Sequence, residues 1–358
     1  MIYYFVLIFL TFFSLYNLFN LDRNQNRYIR VLSFLIFIIV GGLRYGVGTD
    51  WSQYEITFNN TNLIADIFSA REEKLFMVFM YISKKIVSSY SFFTFALFSV
   101  SFYLKYKIFK EYSTDIFLSL IIYFFTLFLI YDLNGIRQGM ALAFVFLAIP
   151  FLLNKKPLLF VLIVIIGSLF HVSALIFLPF YWIANFQISK QKMILIIVAS
   201  LIVSIPIRSL IENNAYLQLL LAMDSFSHYS FYVNDDIAAR DVSILSVAVF
   251  QRLFIFVLFI INYDRIEASD ELKRILLNGY FLSIILFVFL SFSSDLAARS
   301  SFYFKSLEIL MIPLIVTCQA KLTNRMLLFA IFVLFAVVGT YRILEIPNGG
   351  LIPYKFIL

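Results

Sequence analysis

Charge is scarce in this chain. Only 14% of its 358 residues are Asp, Glu, Lys or Arg, where a soluble domain of this length carries about a quarter. That shortage excludes a water-facing surface over most of the sequence and any ordinary soluble domain. The pI of about 9.2 would suggest a nucleic-acid partner in a soluble protein. In this composition it reflects membrane topology, and no nucleic acid is expected. Cysteine is nearly absent. The single Cys318 lies inside an apolar run, which excludes a disulfide framework and a thiolate metal site. Histidine occurs twice, as His171 and His228, and no HExxH pattern accompanies either. The Asp235-Asp236 dipeptide has diverging side chains. No metal and no cofactor are therefore expected. Gly46 and Gly48 lack a following Lys-Ser/Thr and a preceding strand, so a nucleotide-phosphate loop is not indicated. The sequence shows no internal repeat, low-complexity tract, heptad seam or interdomain linker.

What it has in abundance is apolar sequence. Hydrophobic residues make up 62% of the chain and the mean hydropathy is +0.93. The apolar residues fall in runs of about 14 to 20, separated by short polar clusters, the pattern of stacked membrane helices. The first run, 2–18, lacks a basic start and a small-residue cleavage site, so it is expected to be a span and not a removable leader. The fold class expected is all-α: one integral membrane domain over 1–358 with about twelve crossings.

Basic clusters set the expected topology. Arg23/Arg27/Arg30, Lys105/Lys107/Lys110, Lys155/Lys156, Lys190/Lys192, Arg265/Lys273/Arg274 and Lys321/Arg325 separate the apolar runs. An excess of Lys and Arg in short loops marks the cytoplasmic face, and an even number of crossings must separate neighbouring clusters. The runs 2–20, 31–43, 91–109, 114–131, 138–153, 157–170, 172–186, 193–207, 243–262, 275–292, 301–318 and 326–343 meet that parity, with both termini outside. Residues 73–90 carry Lys84 and Lys85 and are expected to form an amphipathic helix on the outer surface. The runs 157–170 and 172–186 are short for a bilayer about 30 Å thick, so they are expected to form a hairpin whose tip, Gly167 to His171, lies below the outer surface. The long hydrophilic segment 208–242, with Glu212, Asp224, His228, Asp235, Asp236, Arg240 and Asp241, is expected as a large outer loop.

The candidate chemistry lies with the cations that break the inside rule. Arg44, Arg137, Arg208, Arg240 and Arg299 fall on the outer side, and Arg252 and Lys305 lie within spans. Charge at such positions is costly and usually faces a cavity or a partner. Several guanidiniums converging on one face suit a diphosphate, because each donates a bidentate pair of charge-assisted bonds. His171 at the hairpin tip is the candidate base, and Asp50 the second. Each residue also has a plainer role open to it. An arginine at a helix end can be a snorkelling anchor. Arg44 can pair with Asp50 and Arg137 with Asp132, and His171 can be a hydrogen-bonded turn residue.

At these residues the chain resembles a known family. The segment GLRYGVGTDWSQY around Arg44, NGIRQGMALAF around Arg137, FHVSALIFLPFY from Phe170, the R-x-x-x-Y of Arg299 and Tyr303, and the closing IPYK at 352–355 together resemble the EpsG family, related to the Wzy-type polymerases of O-antigen and other bacterial surface polysaccharides. Abundant Phe and Tyr with scarce Gly and Pro fit the AT-rich coding of many such gene clusters. The resemblance implies a glycosyltransferase of the inner membrane, GT-C-like by analogy. It would join oligosaccharide repeat units carried on undecaprenyl pyrophosphate at the periplasmic face. Its partners would be that lipid-linked substrate, membrane lipid and a chain-length regulator protein. Arg44, Arg137, Arg299, Arg240 and Tyr303 would bind substrate. The alternatives are a lipid-linked oligosaccharide flippase, another polyprenyl-dependent transferase or O-antigen ligase, and a membrane acyltransferase. A flippase should line a path through the bilayer and often shows repeated halves, whereas the outward charges here lie at one depth.

Overall fold

The computed structural model describes residues 1–19, 27–213, 246–346 and 349–357, and within them the chain is helix and loop, with one isolated antiparallel bridge between Arg44 and Phe356. Every apolar run expected to cross the membrane forms helix over most of its described residues, with breaks such as 178–179 and 306–307. Six of those helices are long and apolar enough to span: Ile2–Phe19, Tyr90–Tyr112, Ile136–Leu153, Lys190–Ile207, Asp270–Phe289 and Leu322–Leu344. A seventh follows if Leu296–Lys305 and Glu308–Thr317 form one broken span, and Ile116–Asp132, Pro157–Ser168, Val172–Ile183 and Val247–Asn262 are shorter apolar helices. The protein is a polytopic helical membrane protein. Arg23, Arg240 and the 214–242 part of the expected outer loop lie outside the described residues.

The chain clusters into two compact units, Met1–Leu178 with Ile309–Leu358, and Pro179–Glu308. In the first unit, helix α1 (Ile2–Phe19) is followed by α2 (Arg27–Phe37), which widens into a π-helical turn at Ile38–Gly42. Three short helices come next: α3 (Trp51–Asn60), α4 (Ile64–Ser69) and α5 (Lys74–Ile86). The long α6 (Tyr90–Tyr112) leads to α7 (Ile116–Tyr123), continued by a π-helical stretch through Asp132. Then α8 (Ile136–Leu153) and α9 (Pro157–Ser168) form an antiparallel pair, closed by the turn at 169–171 and a 3-10 helix at Val172–Phe177.

The core of this unit is α7. Each of its residues from Ile116 to Tyr123 is buried, as a helix apolar on all sides requires. It is surrounded by α1, α6, the last helix Leu322–Leu344 and, through its π-helical end, α8. Asp115 starts it: its carboxylate accepts from Phe117 N and Leu118 N at 3.0 and 3.4 Å and from Ser14 Oγ at 2.6 Å, satisfying helix-end donors that hydrocarbon could not. Aromatic rings fill the layer between α2, α6 and the π-helical stretch, with Phe37, Phe98, Phe102, Tyr123 and Phe128 in mutual contact at 4.8–6.0 Å.

The amphipathic segment expected at 73–90 is α5. It buries Phe76, Met77 and Met80, while Lys84 Nζ donates to the carbonyls of Phe58 and Asn59 and to Asn62 Oδ1 at 2.7–2.9 Å. Those three acceptors occupy the charge that argued against a span. The hairpin tip falls where expected, in the turn before His171.

One expectation about the basic clusters changes. Lys105 does not stand with Lys107 and Lys110 in a cytoplasmic loop. It is fully buried within α6, 2.5 Å from Asp132, while Lys107 and Lys110 are exposed. A charge sealed against a partner carries no topological information, so the inside mark of this cluster rests on the two exposed lysines.

In the second unit the helix Asp270–Phe289 is central, packed by Lys190–Asn213, Val247–Asn262 and Ser294–Lys305. Its Asn278 side chain donates to the carbonyls of Ile183, Ala184 and Phe186 at 3.0–3.1 Å, closing the end of the short helix Phe180–Ile183.

Candidate active site

The segment after the first π-helical turn, Leu43–Asp50, is held by the end of the chain. Tyr45 N donates to Lys355 O and Ile357 N to Leu43 O, both at 2.9 Å, and Gly48 N donates to Gly350 O at 2.8 Å. Tyr354 OH reaches Val40 O at 2.6 Å, and Tyr3 OH reaches Leu351 O at 3.0 Å. The closing IPYK thus lies on the opening GLRYGVGTDW. On its other side the loop meets the turn before α8: Thr49 N donates to Asn134 Oδ1 at 2.8 Å. Gly48 has φ +113°, and a Cβ there would stand 2.3 Å from Leu133 O, so only glycine fits this approach. Asp50 stands at the N-cap position of α3 without a side-chain capping bond and accepts Thr49 Oγ1 at 3.1 Å.

Arg44 is turned inward. It is 1% exposed, donates Nη1 to the Gly41 carbonyl, and lies 5.8 Å from the Trp51 ring centre. Its Nε finds no hydrogen-bond partner among the described residues. With Thr94, Leu97, Phe98, Ser101, Asp132 and Ile136 it walls a cavity of about 10 Å³, room for one water. No Arg44–Asp50 ion pair forms among the described residues. The floor beneath is a sealed polar network. Asp132 Oδ1 takes Lys105 Nζ at 2.5 Å and Ser101 Oγ at 3.3 Å, and Oδ2 takes Tyr123 OH at 2.6 Å. Gly139 lets α8 approach it, since a Cβ there would be 2.6 Å from Asp132 Oδ1.

Arg137, in the first turn of α8, does not use Asp132. Its Nη1 is 2.6 Å from Glu73 Oε2 and its Nε donates to Tyr54 OH at 3.1 Å, with the guanidinium 5.6 Å from the Tyr54 ring centre. Nη2 has no protein partner among the described residues, and the side chain is 27% exposed. Burial raises the Tyr54 phenol above its usual range, against the opposing pull of Arg137, so the hydroxyl stays protonated and neutral. Glu73 stands at the start of α5, and its second oxygen accepts Val172 N at 3.1 Å. Leu75 N donates to Leu169 O at 3.1 Å. The carboxylate therefore ties α5, α8 and the hairpin tip together.

His171 caps the 3-10 helix that follows it. Nδ1 accepts Ser173 N at 3.3 Å and lies 2.6 Å from Ser173 Oγ, while Nε2 lies 3.3 Å from the Gln138 carboxamide. Gln138 follows Arg137 in the first turn of α8, and Glu73 joins the Arg137 guanidinium to Val172 N, next to His171.

Of the candidates read from sequence, Arg137 and His171 come together, and the Asp50 loop adjoins the same turn through Asn134. Arg44 lies beneath them. Arg299, half-exposed, and Tyr303, fully buried, belong to the helix Ser294–Lys305 of the second unit. There Arg252 donates to Ser301 Oγ at 3.3 Å, and buried Glu308 accepts Lys305 Nζ at 2.8 Å and Tyr280 OH at 3.0 Å. Sequence reasoning missed Glu73, Tyr54 and Gln138. The one available signal for Glu73 was an acidic residue opening a run that otherwise drew notice for its lysines.

Fold and geometry define a class: a polytopic helical membrane protein with a half-open guanidinium–carboxylate–imidazole cluster assembled from several loops. The chain belongs to the EpsG family, whose family model matches residues 27–356. That span includes all of the segments from Arg44 to Lys355, and membership supports a polysaccharide-polymerase role in general terms. No curated protein and no solved structure matches the chain significantly.

Proposed function

We propose that the protein polymerises a bacterial surface polysaccharide of the O-antigen type at the periplasmic face of the inner membrane. It transfers the growing chain from undecaprenyl pyrophosphate to the non-reducing sugar of an incoming lipid-linked unit, without a metal. The observation that carries this reading is the half-open Arg137, 27% exposed, joined through Glu73 to the N–H of Val172 next to His171.

The chemistry follows from these groups. The donor's sugar–pyrophosphate bond supplies the driving force, so no nucleotide is needed. Arg137 stabilises charge developing on the departing pyrophosphate. Arg299 and Arg240 are read as further substrate contacts, whereas Tyr303 is fully buried and serves to pack its own helix. Holding the donor and acceptor ends together supplies proximity. Arg44, sealed over Trp51, braces the Tyr45–Asp50 loop from beneath. The excess of Lys and Arg in short loops supports a cytoplasmic setting for the face away from the site.

A deletion strain tests the reading through its lipopolysaccharide bands. Loss of the ladder, leaving core plus one repeat unit, supports a polymerase. Loss of every repeat-bearing band supports a flippase or a ligase instead.

A further inference from the structure

The polymerase reading requires a group that takes the proton from the acceptor hydroxyl, and the two carboxylate or imidazole candidates read from sequence are poorly disposed for it. His171 uses Nδ1 to accept the Ser173 N–H. A neutral ring in that state carries its proton on Nε2, which faces the Gln138 carboxamide. It therefore offers no lone pair to a sugar hydroxyl. Asp50 is held by its neighbour Thr49 and, among the described residues, bonds neither Arg137 nor the hairpin tip.

Glu73 differs from both. Each of its oxygens is engaged, one by Arg137 Nη1 at 2.6 Å and one by Val172 N at 3.1 Å, yet its side chain is 19% exposed and that of Arg137 27%. Arg137 is thus already neutralised by a monoanion. A pyrophosphate, carrying more charge and more acceptor oxygens, competes for the same guanidinium. Once it has done so, Glu73 Oε2 is released beside the leaving group, while Oε1 still rests on the backbone of Val172.

We propose that Glu73 is a latched general base, held on Arg137 until the donor's pyrophosphate displaces it and then free to deprotonate the acceptor sugar. The inference rests on the polymerase reading and names the proton acceptor within it. In the step, the acceptor hydroxyl gives its proton to the Glu73 carboxylate as its oxygen bonds the donor's anomeric carbon. The bond from that carbon to the pyrophosphate oxygen breaks, and its electron pair leaves on the pyrophosphate, held by Arg137. The proton on Glu73 then passes to water. The order protects the donor: no base is unmasked at the site until a pyrophosphate occupies it.

The test uses the full-length protein in detergent, titrated with inorganic pyrophosphate, beside chain growth in a complemented deletion strain. Glu73→Gln removes the competing charge, so it should bind pyrophosphate roughly 3- to 10-fold tighter than wild type, the scale of a half-buried ion pair. It should nevertheless extend no chains at normal abundance. A carboxylate that only shapes the site predicts weaker binding and lower abundance together. Glu73→Gln that binds no tighter, or that still builds a ladder, overturns the latch. If Glu73→Gln fails to accumulate, Glu73→Asp, too short to hold Arg137 and Val172 N at once, must show the tighter binding and reduced extension, and equal binding overturns the latch. Arg137→Ala separates this failure from that of the polymerase site. If it binds pyrophosphate as wild type does and still extends chains, the site itself is misassigned and the latch falls with it.

Discussion

Lys105–Asp132 and Arg137–Glu73 are ion pairs of nearly equal length, 2.5 and 2.6 Å, in the same unit, and they are built for different ends. In the first, both side chains are almost wholly sealed, 0% and 2% exposed, and Ser101 and Tyr123 take the remaining capacity of the carboxylate. In the second, the side chains are 27% and 19% exposed. A sealed pair with its hydrogen bonds satisfied can only fix structure, because nothing can reach it to exchange a partner. A half-open pair can trade a carboxylate for a ligand. In the second unit Lys305–Glu308 stands between the two, with Glu308 sealed on Tyr280 and Lys305 21% exposed. Charge buried in this protein therefore runs between two kinds, and accessibility separates them more sharply than distance does.

The sealed pair should give the largest effect. Lys105→Ala leaves Asp132 charged and buried, a loss of about 3–5 kcal/mol. Membrane abundance and melting temperature in detergent should both fall steeply. The double variant Lys105→Met with Asp132→Leu removes both charges and should recover much of that loss. If the single variant is as abundant and stable as wild type, the contrast between sealed and open pairs fails at its first term.

The open pair should behave in the opposite way. Arg137→Ala should accumulate normally and lose chain growth, with a rate loss on the order of 10²–10³. Arg137→Lys should recover little, since an ammonium cannot span Glu73 and Tyr54 as Nη1 and Nε do. Arg44 sharpens the comparison. Its guanidinium is buried on Gly41 O and Trp51, so Arg44→Ala should lower abundance as well as ladder length. Equal abundance of the Arg44→Ala and Arg137→Ala proteins, with chain growth lost in both, would put Arg44 among the substrate contacts.

Much of this architecture could be read from the sequence, for a physical reason. In a bilayer every backbone polar group must be satisfied within its segment, so an apolar run favours helix, and each of the expected runs is helical over most of its described length. The hairpin tip before His171 was legible for the same reason, as a break between two short apolar runs. What spacing could not show was which charges meet. Lys105 reads as part of a basic cluster because Lys107 and Lys110 follow it, yet its partner lies 27 residues away on another helix. Glu73 and Arg137 are 64 residues apart. A pairing between helices depends on their packing, which local sequence does not record. Asp132, a natural local partner for Arg137, was unavailable because Lys105, Ser101 and Tyr123 had already claimed it.

The loop that roofs the sealed network offers an intermediate effect. Gly48→Ala forces a side chain into a left-handed backbone and against Leu133 O, at about 1–3 kcal/mol. The Tyr45–Asp50 loop should shift away from Asn134 and the ladder should shorten, with Lys105–Asp132 and overall abundance largely preserved. A collapse in abundance equal to that of Lys105→Ala would show that loop and floor are one cooperative structure.

The smallest effect tests how far the open pair depends on its neutral neighbour. Tyr54 touches Arg137 in two ways, through its hydroxyl, which accepts Nε at 3.1 Å, and through its ring, 5.6 Å from the guanidinium carbon. Burial keeps the phenol protonated, so the hydroxyl contributes one hydrogen bond and no charge. Tyr54→Phe deletes that bond and keeps the ring, a change of about 1 kcal/mol, or roughly fivefold in rate. Tyr54→Leu removes both contacts and should fall further, because the guanidinium then loses the π face as well. Abundance should hold for Tyr54→Phe, since the pair with Glu73 still fixes Arg137. Ladder length measured at limiting expression resolves a change of this size. If Tyr54→Phe loses chain growth as completely as Arg137→Ala, the phenol takes part in the chemistry itself, and the division of labour drawn between Arg137, Glu73 and Tyr54 must be redrawn around that hydroxyl.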